Sequence, residues 1–337
     1  MYALIYILIG VVIALVIAAL VVAAVIAVAV GAVFAARHIH KLFKKSFGRN
    51  DPSPDNQSRF LDELQQNGFE KQVEVVKRGW DKLASTPHEK VYITSHDGYK
   101  LCAKLYAPQN PHATVILVHG YHSKAEMDFG CVFEFYAQRE IAMLMVDQRA
   151  HGDSEGEYLT FGAKEKYDIR DWAKYLVERF GEDHSIILDG VSMGCTTVLL
   201  ASALPDLPVQ VKAVIGDCGY VSAKSQIAQA LREDMHLPVF PVLPVASLLC
   251  RIYGGAFLGD ADVEEAMKKA KLPTLFAHGA ADDFVRPFNS ERSYAACTSE
   301  YKRLCIFEGS PHGLSYLDHK EEYEKEILAL LGHAGVI

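Results

Sequence analysis

The sequence predicts an α/β protein in which a mostly parallel sheet carries helices on both faces and follows a long apolar segment. From about residue 90 onward, short apolar runs alternate with longer stretches of helical periodicity, which is typical of a parallel sheet. Each apolar run ends in polar residues or glycine, as expected where the carboxyl ends of strands form a site. Residues 1–36, in contrast, contain no charged side chain.

The segment 1–36 predicts a single-pass transmembrane anchor. About 20 apolar residues span a bilayer, and this segment is longer than the apolar core of a cleavable signal peptide and lacks its basic start. We therefore expect an uncleaved helix. Positive residues stay on the cytoplasmic side of a membrane, so the basic residues that follow predict that the large domain lies in the cytoplasm: Arg37, Lys41, Lys44, Lys45 and Arg49.

Composition limits the classes of partner and site. The residues after position 50 hold 29 Lys+Arg against 42 Asp+Glu, and nucleic-acid binding needs clustered positive charge. We therefore expect no nucleic-acid partner. The seven cysteines are odd in number and scattered, unlike a disulfide framework. His38 and His40 form an H-x-H pair without further ligands nearby, so we expect no metal there. The oligomeric state stays open.

The chain is expected to divide further after the anchor. Residues 37–58 are interpreted as a basic flank and polar linker, because glycine and two prolines punctuate this stretch. Residues 59–89 are interpreted as a helical segment, in which apolar residues at helical spacing indicate packing. The main domain is predicted to span 90–337. It begins with a hairpin at 91–95 and 100–107, and further strands are expected at 113–118, 141–146, 185–188, 211–215, 273–277 and 303–307.

Residues of about 220–270 interrupt the alternation of strands and helices. They combine helical stretches with a proline-rich run and lie between two predicted strands. A small helical insertion that caps the pocket and a connection packed on the body are both compatible with this pattern.

A G-x-S-x-G sequence at 190–194 follows an apolar run and precedes a helical stretch. This order predicts a sharp strand-to-helix turn that lifts the Ser192 hydroxyl to where it can attack a carbonyl. A serine needs a base, histidine titrates near neutral pH, and a carboxylate orients the imidazole. The expected chain order of serine, acid and histidine is met by Ser192, Asp282 and His312. Asp283 and Asp217 are alternative acids.

The motifs in these loops resemble those of the α/β-hydrolase superfamily, from about residue 90 to the end. The chain looks most like membrane-anchored bacterial serine hydrolases of the serine aminopeptidase and monoacylglycerol lipase branch. The matching stretches are V-H-G-Y (118–121), D-Q-R-A-H-G-D-S-E-G (147–156), G-V-S-M-G (190–194), H-G-A-A-D-D-F-V (278–285) and G-S-P-H-G (309–313). The resemblance implies the α/β-hydrolase fold, Asp282 as the acid and no cofactor.

The turn after Ser192 supplies the backbone N–H of Met193 to an oxyanion hole, and the resemblance implies that the N–H of Tyr121 is the second donor. His119, Gly120 and His122 are expected to support this loop or line the pocket. In the loop after the next predicted strand, four residues are expected to fix the loop by hydrogen bonds: Asp147, Arg149, His151 and Asp153.

The function predicted from these residues is hydrolysis of a carboxylic ester, thioester or amide of a small-molecule acyl substrate. The serine would form an acyl-enzyme that water then hydrolyses. The alternatives are a serine peptidase similar to an aminopeptidase, a non-catalytic ligand-binding module, and a protein whose anchor is its main functional element.

Overall fold

The structure, a computed structural model, describes residues 2–49, 54–66 and 68–337. They form two units, Met1–Ser46 and Phe47–Ile337. Helix α1 (Tyr2–Phe47) accounts for the first unit and continues well beyond residue 36, into the predicted flank and linker at 37–58. Because 37–47 contain neither glycine nor proline, nothing breaks the helix before Gly48.

Only part of the predicted anchor can be described. The side chains at 16–27 are apolar and exposed, whereas those at 1–15, 28–29 and 32–36 lie outside the described part. Among the residues that the structure describes, no helix combines the length and the hydropathy needed to cross a membrane.

Two helices precede the sheet, α2 (Pro54–Gln66) and α3 (Glu70–Ser85). One face of α3 is buried, as expected for an amphipathic helix. The helix ends where the sequence requires it, because Thr86 precedes Pro87 and takes the extended conformation, with ψ of 125°. Helix α2 begins at Pro54, so the last residues of the predicted linker at 37–58 are helical as well.

The predicted mostly parallel sheet is confirmed. Eight strands lie in the order β1-β2-β4-β3-β5-β6-β7-β8. The pairs β1–β2 and β2–β4 are antiparallel and all the others are parallel. The strands are β1 (Glu89–Thr94), β2 (Lys100–Tyr106), β3 (Ala113–Val118), β4 (Ala142–Val146), β5 (Ser185–Val191), β6 (Val211–Asp217), β7 (Thr274–Gly279) and β8 (Lys302–Phe307).

Helices cover both faces of the sheet, which explains why every residue of β3 and β4 is buried. Val115 and Leu117 share one core cluster with Phe133 and Ile327. The remaining helices are α4 (Ala125–Phe129), α5 (Phe133–Ala137), α6 (Glu165–Phe180), α7 (Met193–Ser202), α8 (Ala223–Glu233), α9 (Val239–Gly254), α10 (Val263–Met267), α11 (Phe288–Ala296), α12 (Ser315–Asp318) and α13 (Lys320–His333). Short 3-10 turns occupy Gly130–Val132 and Leu258–Asp260.

The register of the central strands brings their carboxyl ends to one edge. Val118 at the end of β3 lies opposite Val146 on β4 and Gly190 on β5. The residues that follow these strands therefore start from the same level of the sheet. This edge is where parallel α/β sheets hold their sites.

Candidate active site

Ser192 occupies a strained turn between β5 and α7, with φ of 56° and ψ of −117°. A backbone in this region is disfavoured for a residue with a side chain and costs about 1–3 kcal/mol. The two glycines of the motif permit the turn. A Cβ on Gly190 would lie 2.3 Å from the Gly194 carbonyl oxygen, and one on Gly194 would lie 1.8 Å from the Val118 carbonyl oxygen. The spacing G-x-S-x-G is therefore a steric requirement of this turn.

The structure brings the three predicted triad residues together. His312 Nε2 lies 3.0 Å from Ser192 Oγ, and His312 Nδ1 lies 2.6 Å from Asp282 Oδ2. A carboxylate only accepts hydrogen bonds, so Nδ1 carries the proton and Nε2 is the acceptor for the serine hydroxyl. The side chain of Asp282 is fully buried, whereas that of His312 is 25% exposed. This arrangement can take a proton from Ser192.

The two alternative acids occupy other places. Asp283 is exposed to solvent. Asp217, at the end of β6, accepts a hydrogen bond from the Ser315 hydroxyl at 3.4 Å. Its carbonyl oxygen accepts the N–H of Ser192 at 2.8 Å. The main chain of Asp217 thus supports the serine turn, and the carboxylate bonded to His312 is that of Asp282.

Asp282 lies among hydrogen-bond donors. Its Oδ1 accepts the backbone N–H groups of Phe284 at 3.0 Å and Val285 at 2.8 Å. Burial alone would raise the pKa of Asp282, but the hydrogen bonds from His278 and His312 outweigh it and lower the pKa. The carboxylate is therefore ionised at neutral pH, where it stabilises a protonated imidazole.

His278 is a supporting residue to which the sequence assigned no role. Its Nε2 lies 2.6 Å from the Val285 carbonyl oxygen and 3.2 Å from Asp282 Oδ2, and its Nδ1 lies 2.7 Å from Ser290 Oγ. Because both oxygens near Nε2 are acceptors, that nitrogen carries the proton and Ser290 donates to Nδ1. The available signal was its position at the end of β7, four residues before Asp282.

The loop after β3 is held by His119, which is fully buried. Its Nδ1 donates to the Gly120 carbonyl oxygen at 2.7 Å, and its Nε2 accepts the Gln148 N–H at 3.2 Å. Burial lowers the pKa of His119 to about 4, so the ring is neutral at physiological pH. Its contacts are those of a residue that supports the loop.

Asp128 also holds this loop, and no sequence motif pointed to it. Its Oδ2 accepts the Gly120 N–H at 2.7 Å, and its Oδ1 accepts the Ser123 hydroxyl at 2.7 Å. Burial raises the pKa of Asp128 to about 6. A Cβ on Gly120 would lie 3.3 Å from the Cβ of Ser192, so the loop passes directly beside the serine.

The two predicted oxyanion donors belong to the residue after Ser192 and to the loop after β3. Met193 is the first residue of α7, and the first N–H groups of a helix have no acceptor within it. Tyr121 lines the same cavity as Ser192. The Tyr121 ring stacks on His122, with centroids 3.9 Å apart, and His122 Nε2 lies 3.2 Å from the Gly48 carbonyl oxygen. Donation to an oxyanion by Tyr121 and Met193 stays a prediction.

The loop after β4 is fixed by its polar residues. Arg149 donates to Asp168 at 2.6 and 2.7 Å and to Asp97 at 3.0 and 3.1 Å. Asp147 accepts the Asp153 N–H at 2.9 Å. Burial lowers the pKa of His151 to about 3, so its ring is neutral. These contacts hold the loop itself, as expected for this group.

A cavity of about 270 Å³ opens beside Ser192 and His312. Among the described residues that line it, none belongs to the insertion at 220–270. The insertion contacts the loop after β7, where Gln226 Nε2 donates to the Phe284 carbonyl oxygen at 3.0 Å. Phe284 itself lines the cavity.

The fold agrees with that of known proteins. The structure is similar to that of the Pyrococcus furiosus esterase Pf2001, with a TM-score of 0.60 and 22% identity, over 75% of this chain and 93% of the other. The chain has the α/β-hydrolase fold. The resemblance to that superfamily is thereby confirmed at the level of the fold.

Sequence comparison gives matches over parts of the chain. The family described as "Serine aminopeptidase, S33" matches residues 109–253, which include Ser192. "Uncharacterized protein YqkD" of Bacillus subtilis is 27% identical over 71% of this chain and 77% of its own length. "Uncharacterized membrane protein YNL320W" of Saccharomyces cerevisiae is 25% identical over 67% of this chain and 74% of its own. These similarities support a hydrolase of this fold and leave its reaction class open.

Proposed function

We propose that this protein is a serine hydrolase that cleaves a carboxylic ester through an acyl-enzyme on Ser192. The observation that carries the proposal is the continuous hydrogen-bonded chain from Ser192 Oγ through His312 to Asp282 Oδ2. A neutral imidazole with its proton on Nδ1 has its Nε2 lone pair directed at the serine hydroxyl, as a general base requires.

The reaction proceeds in two halves. Ser192 Oγ attacks the carbonyl carbon while its proton passes to His312 Nε2, and Asp282 stabilises the imidazolium. The ester C–O bond then breaks, and the leaving alcohol takes the proton from His312. In the second half water attacks the acyl carbon and gives a proton to His312. The acid leaves, and Ser192 Oγ regains its proton.

The tetrahedral intermediate of each half needs hydrogen-bond donors for its oxyanion. We assign the backbone N–H groups of Met193 and Tyr121 to this role. Met193 opens α7, so the positive end of the helix dipole adds to its N–H. Removal of one such donor typically lowers the rate by about 10²–10³.

Replacement of the nucleophile tests this proposal. Ser192→Ala is expected to lower turnover of p-nitrophenyl esters by roughly 10⁴ or more. The matched control is Ser225→Ala in α8, where the hydroxyl donates to the Ser222 carbonyl oxygen at 2.8 Å. Undiminished turnover by Ser192→Ala would contradict the mechanism.

A peptidase is the second candidate, because the matching family is described as a serine aminopeptidase. The same triad cleaves amides, and fold does not fix the substrate. A comparison of aminoacyl amides with simple alkyl esters at equal concentration distinguishes the two. Faster cleavage of the aminoacyl amides would favour the peptidase.

We further propose that α1 anchors the protein in a membrane with the hydrolase domain in the cytoplasm. The uncharged segment 1–36, the exposed apolar side chains at 16–27 and the basic residues that follow support this. The yeast relative YNL320W is described as a membrane protein. In intact cells, Glu321→Cys at an exposed position should resist a membrane-impermeant maleimide until the cells are lysed. Labelling before lysis, above that of the unsubstituted chain, would overturn the orientation.

A further inference from the structure

The cavity beside Ser192 has an apolar wall to which the helices before the sheet domain contribute. Helices α2 and α3 contribute to it, together with the segment after β3 and the segment after His312. The apolar side chains on this side are Phe60, Val76, Met127, Cys131, Leu314 and Leu317. The helices before the domain therefore complete a pocket whose reactive edge carries the serine.

This wall is part of a packed core. Val76 is 3% exposed and shares a cluster with Leu64, Val73 and Leu314, against which Phe60 and Leu317 also pack. The Phe60 ring lies against Trp80, with centroids 6.3 Å apart. Packed side chains hold their positions, so this wall has a defined shape.

Three contacts fasten α3 to the loops that carry site residues. Gly79 meets the turn at Gly130 so closely that a Cβ on Gly79 would lie 2.3 Å from the Gly130 carbonyl oxygen. Trp80 Nε1 donates to the Met127 carbonyl oxygen at 3.4 Å. Gln72 Nε2 donates to Asp318 Oδ1 at 2.8 Å, on α12 just beyond His312. The wall is therefore built against both loops.

The polar groups of the cavity argue against a charged ligand. Among the described residues that line it, there is no lysine or arginine, and Asp128 is the one carboxylate. Both of its oxygens already accept hydrogen bonds, from Gly120 and Ser123. An α-ammonium group would therefore find only a carboxylate that is already hydrogen-bonded to the loop, whereas a hydrocarbon chain finds an apolar surface.

We propose that the wall formed by α2 and α3 binds the aliphatic acyl chain of the ester, and that Phe60 and Val76 determine which chain lengths are accepted. This inference rests on the proposed function, since it assigns the acyl side of the same reaction. Specificity thus comes from the helices before the domain, and the insertion at 220–270 takes no part in it.

The test compares alkyl fluorophosphonates whose chain grows from methyl through butyl and octyl to dodecyl. Ser192 Oγ forms a bond to phosphorus as fluoride leaves and the serine proton passes to His312, so the labelling rate reports on the pocket without ester turnover. The full-length protein is used with Val76→Phe, which fills the cavity, and Phe60→Ala, which enlarges it. The control is Phe240→Ala, at a phenylalanine of the insertion that is 80% exposed.

Val76→Phe should slow labelling by octyl and dodecyl probes about tenfold or more relative to methyl. The reason is that one methylene group in an apolar pocket typically changes a rate by about tenfold or more. Phe60→Ala should raise the ratio of long-chain to methyl rates, and Phe240→Ala should leave it unchanged. A variant that the methyl probe still labels is folded. If Val76→Phe is not labelled by the methyl probe, the result for Phe60→Ala decides the test.

Equal changes for all chain lengths, no change in either pocket variant, or a changed ratio in Phe240→Ala would overturn the inference while leaving the triad intact. Absence of labelling by every probe, or equal labelling of Ser192→Ala, would overturn the proposed function and this inference with it.

Discussion

The Asp128 carboxylate accepts the backbone N–H of Gly120 at 2.7 Å, and thereby ties the loop after β3 to the position beside Ser192. Its other oxygen accepts the Ser123 hydroxyl at 2.7 Å, so one side chain fastens both ends of the turn that contains Tyr121. The proposed oxyanion donor on Tyr121 depends on where this turn lies. Asp128 is therefore a positioning residue in this account.

Asp128→Asn tests that role. An asparagine offers one accepting oxygen in place of two and carries no charge, so the hydrogen bonds that hold Gly120 and Ser123 become weaker. We expect kcat to fall about tenfold, less than the 10²–10³ typical of losing the donor itself, with little change in KM. Steady-state kinetics measure this, with exposed Asp283→Asn as the control. A change in KM alone would contradict a role in transition-state stabilisation.

His278→Phe tests the support beneath the triad. The variant leaves the Val285 carbonyl and the Ser290 hydroxyl without their buried partner, and Asp282 loses a neighbouring donor. Unpaired buried polar groups cost about 1–3 kcal/mol. We expect the free energy of unfolding to fall by that amount in a denaturant titration, while exposed His88→Phe changes it little. Equal stability of the two variants would refute the proposed contribution of His278.

Gly194→Ala tests the steric origin of the serine turn. The new Cβ would lie 1.8 Å from the Val118 carbonyl oxygen, so strand β3 and helix α7 would have to separate. We expect a loss of stability above about 3 kcal/mol and loss of labelling at Ser192. Gly332→Ala in α13 is the control, since nothing lies within 4 Å of its Cβ. A folded, reactive Gly194→Ala protein would disprove the close approach.

The buried carboxyl group of Asp189 is expected to make the free energy of unfolding depend on pH. It lies in β5, accepts the Tyr136 hydroxyl at 2.8 Å, and burial raises its pKa to about 7. Between pH of about 4 and 7 the folded state holds this proton while the unfolded state loses it, so stability falls as pH rises through that window.

Asp189→Asn should therefore be more stable than the parent at pH 8, by roughly 2–4 kcal/mol, with the difference vanishing near pH 4. Denaturant titrations across this range measure it, with exposed Asp183→Asn as the control. A difference that does not vary with pH would show that the Asp189 proton is not the cause.

The sequence predicted the site residues whose positions are set by the ends of strands. Ser192, Asp282 and His312 each follow a strand of the same parallel sheet, so chain order and motif were sufficient to bring them together. Asp128 was not predicted, because its partners are a backbone N–H and a hydroxyl of its own loop, which leave no spacing pattern. His278 is buried in a strand, where a histidine gives no signal of its partners.

The pocket wall could not be predicted either. Helical spacing at Phe60 and Val76 predicted packing, which is correct, but it does not specify the surface against which a helix packs. The close approach of Gly79 and Gly130 fixes that surface, and it joins residues far apart in the chain. The sequence also left open whether the insertion at 220–270 caps the pocket or packs on the body, because a proline-rich run with helical stretches is compatible with both.

The most direct test of the central claim is to identify the residue that an activated acyl analogue modifies. The full-length protein is treated with a fluorophosphonate, digested, and analysed by peptide mass spectrometry. The account predicts a single stoichiometric adduct on Ser192, which disappears in His312→Ala because the serine then lacks its base. An adduct on another residue, or undiminished modification of Ser192 in His312→Ala, would contradict it.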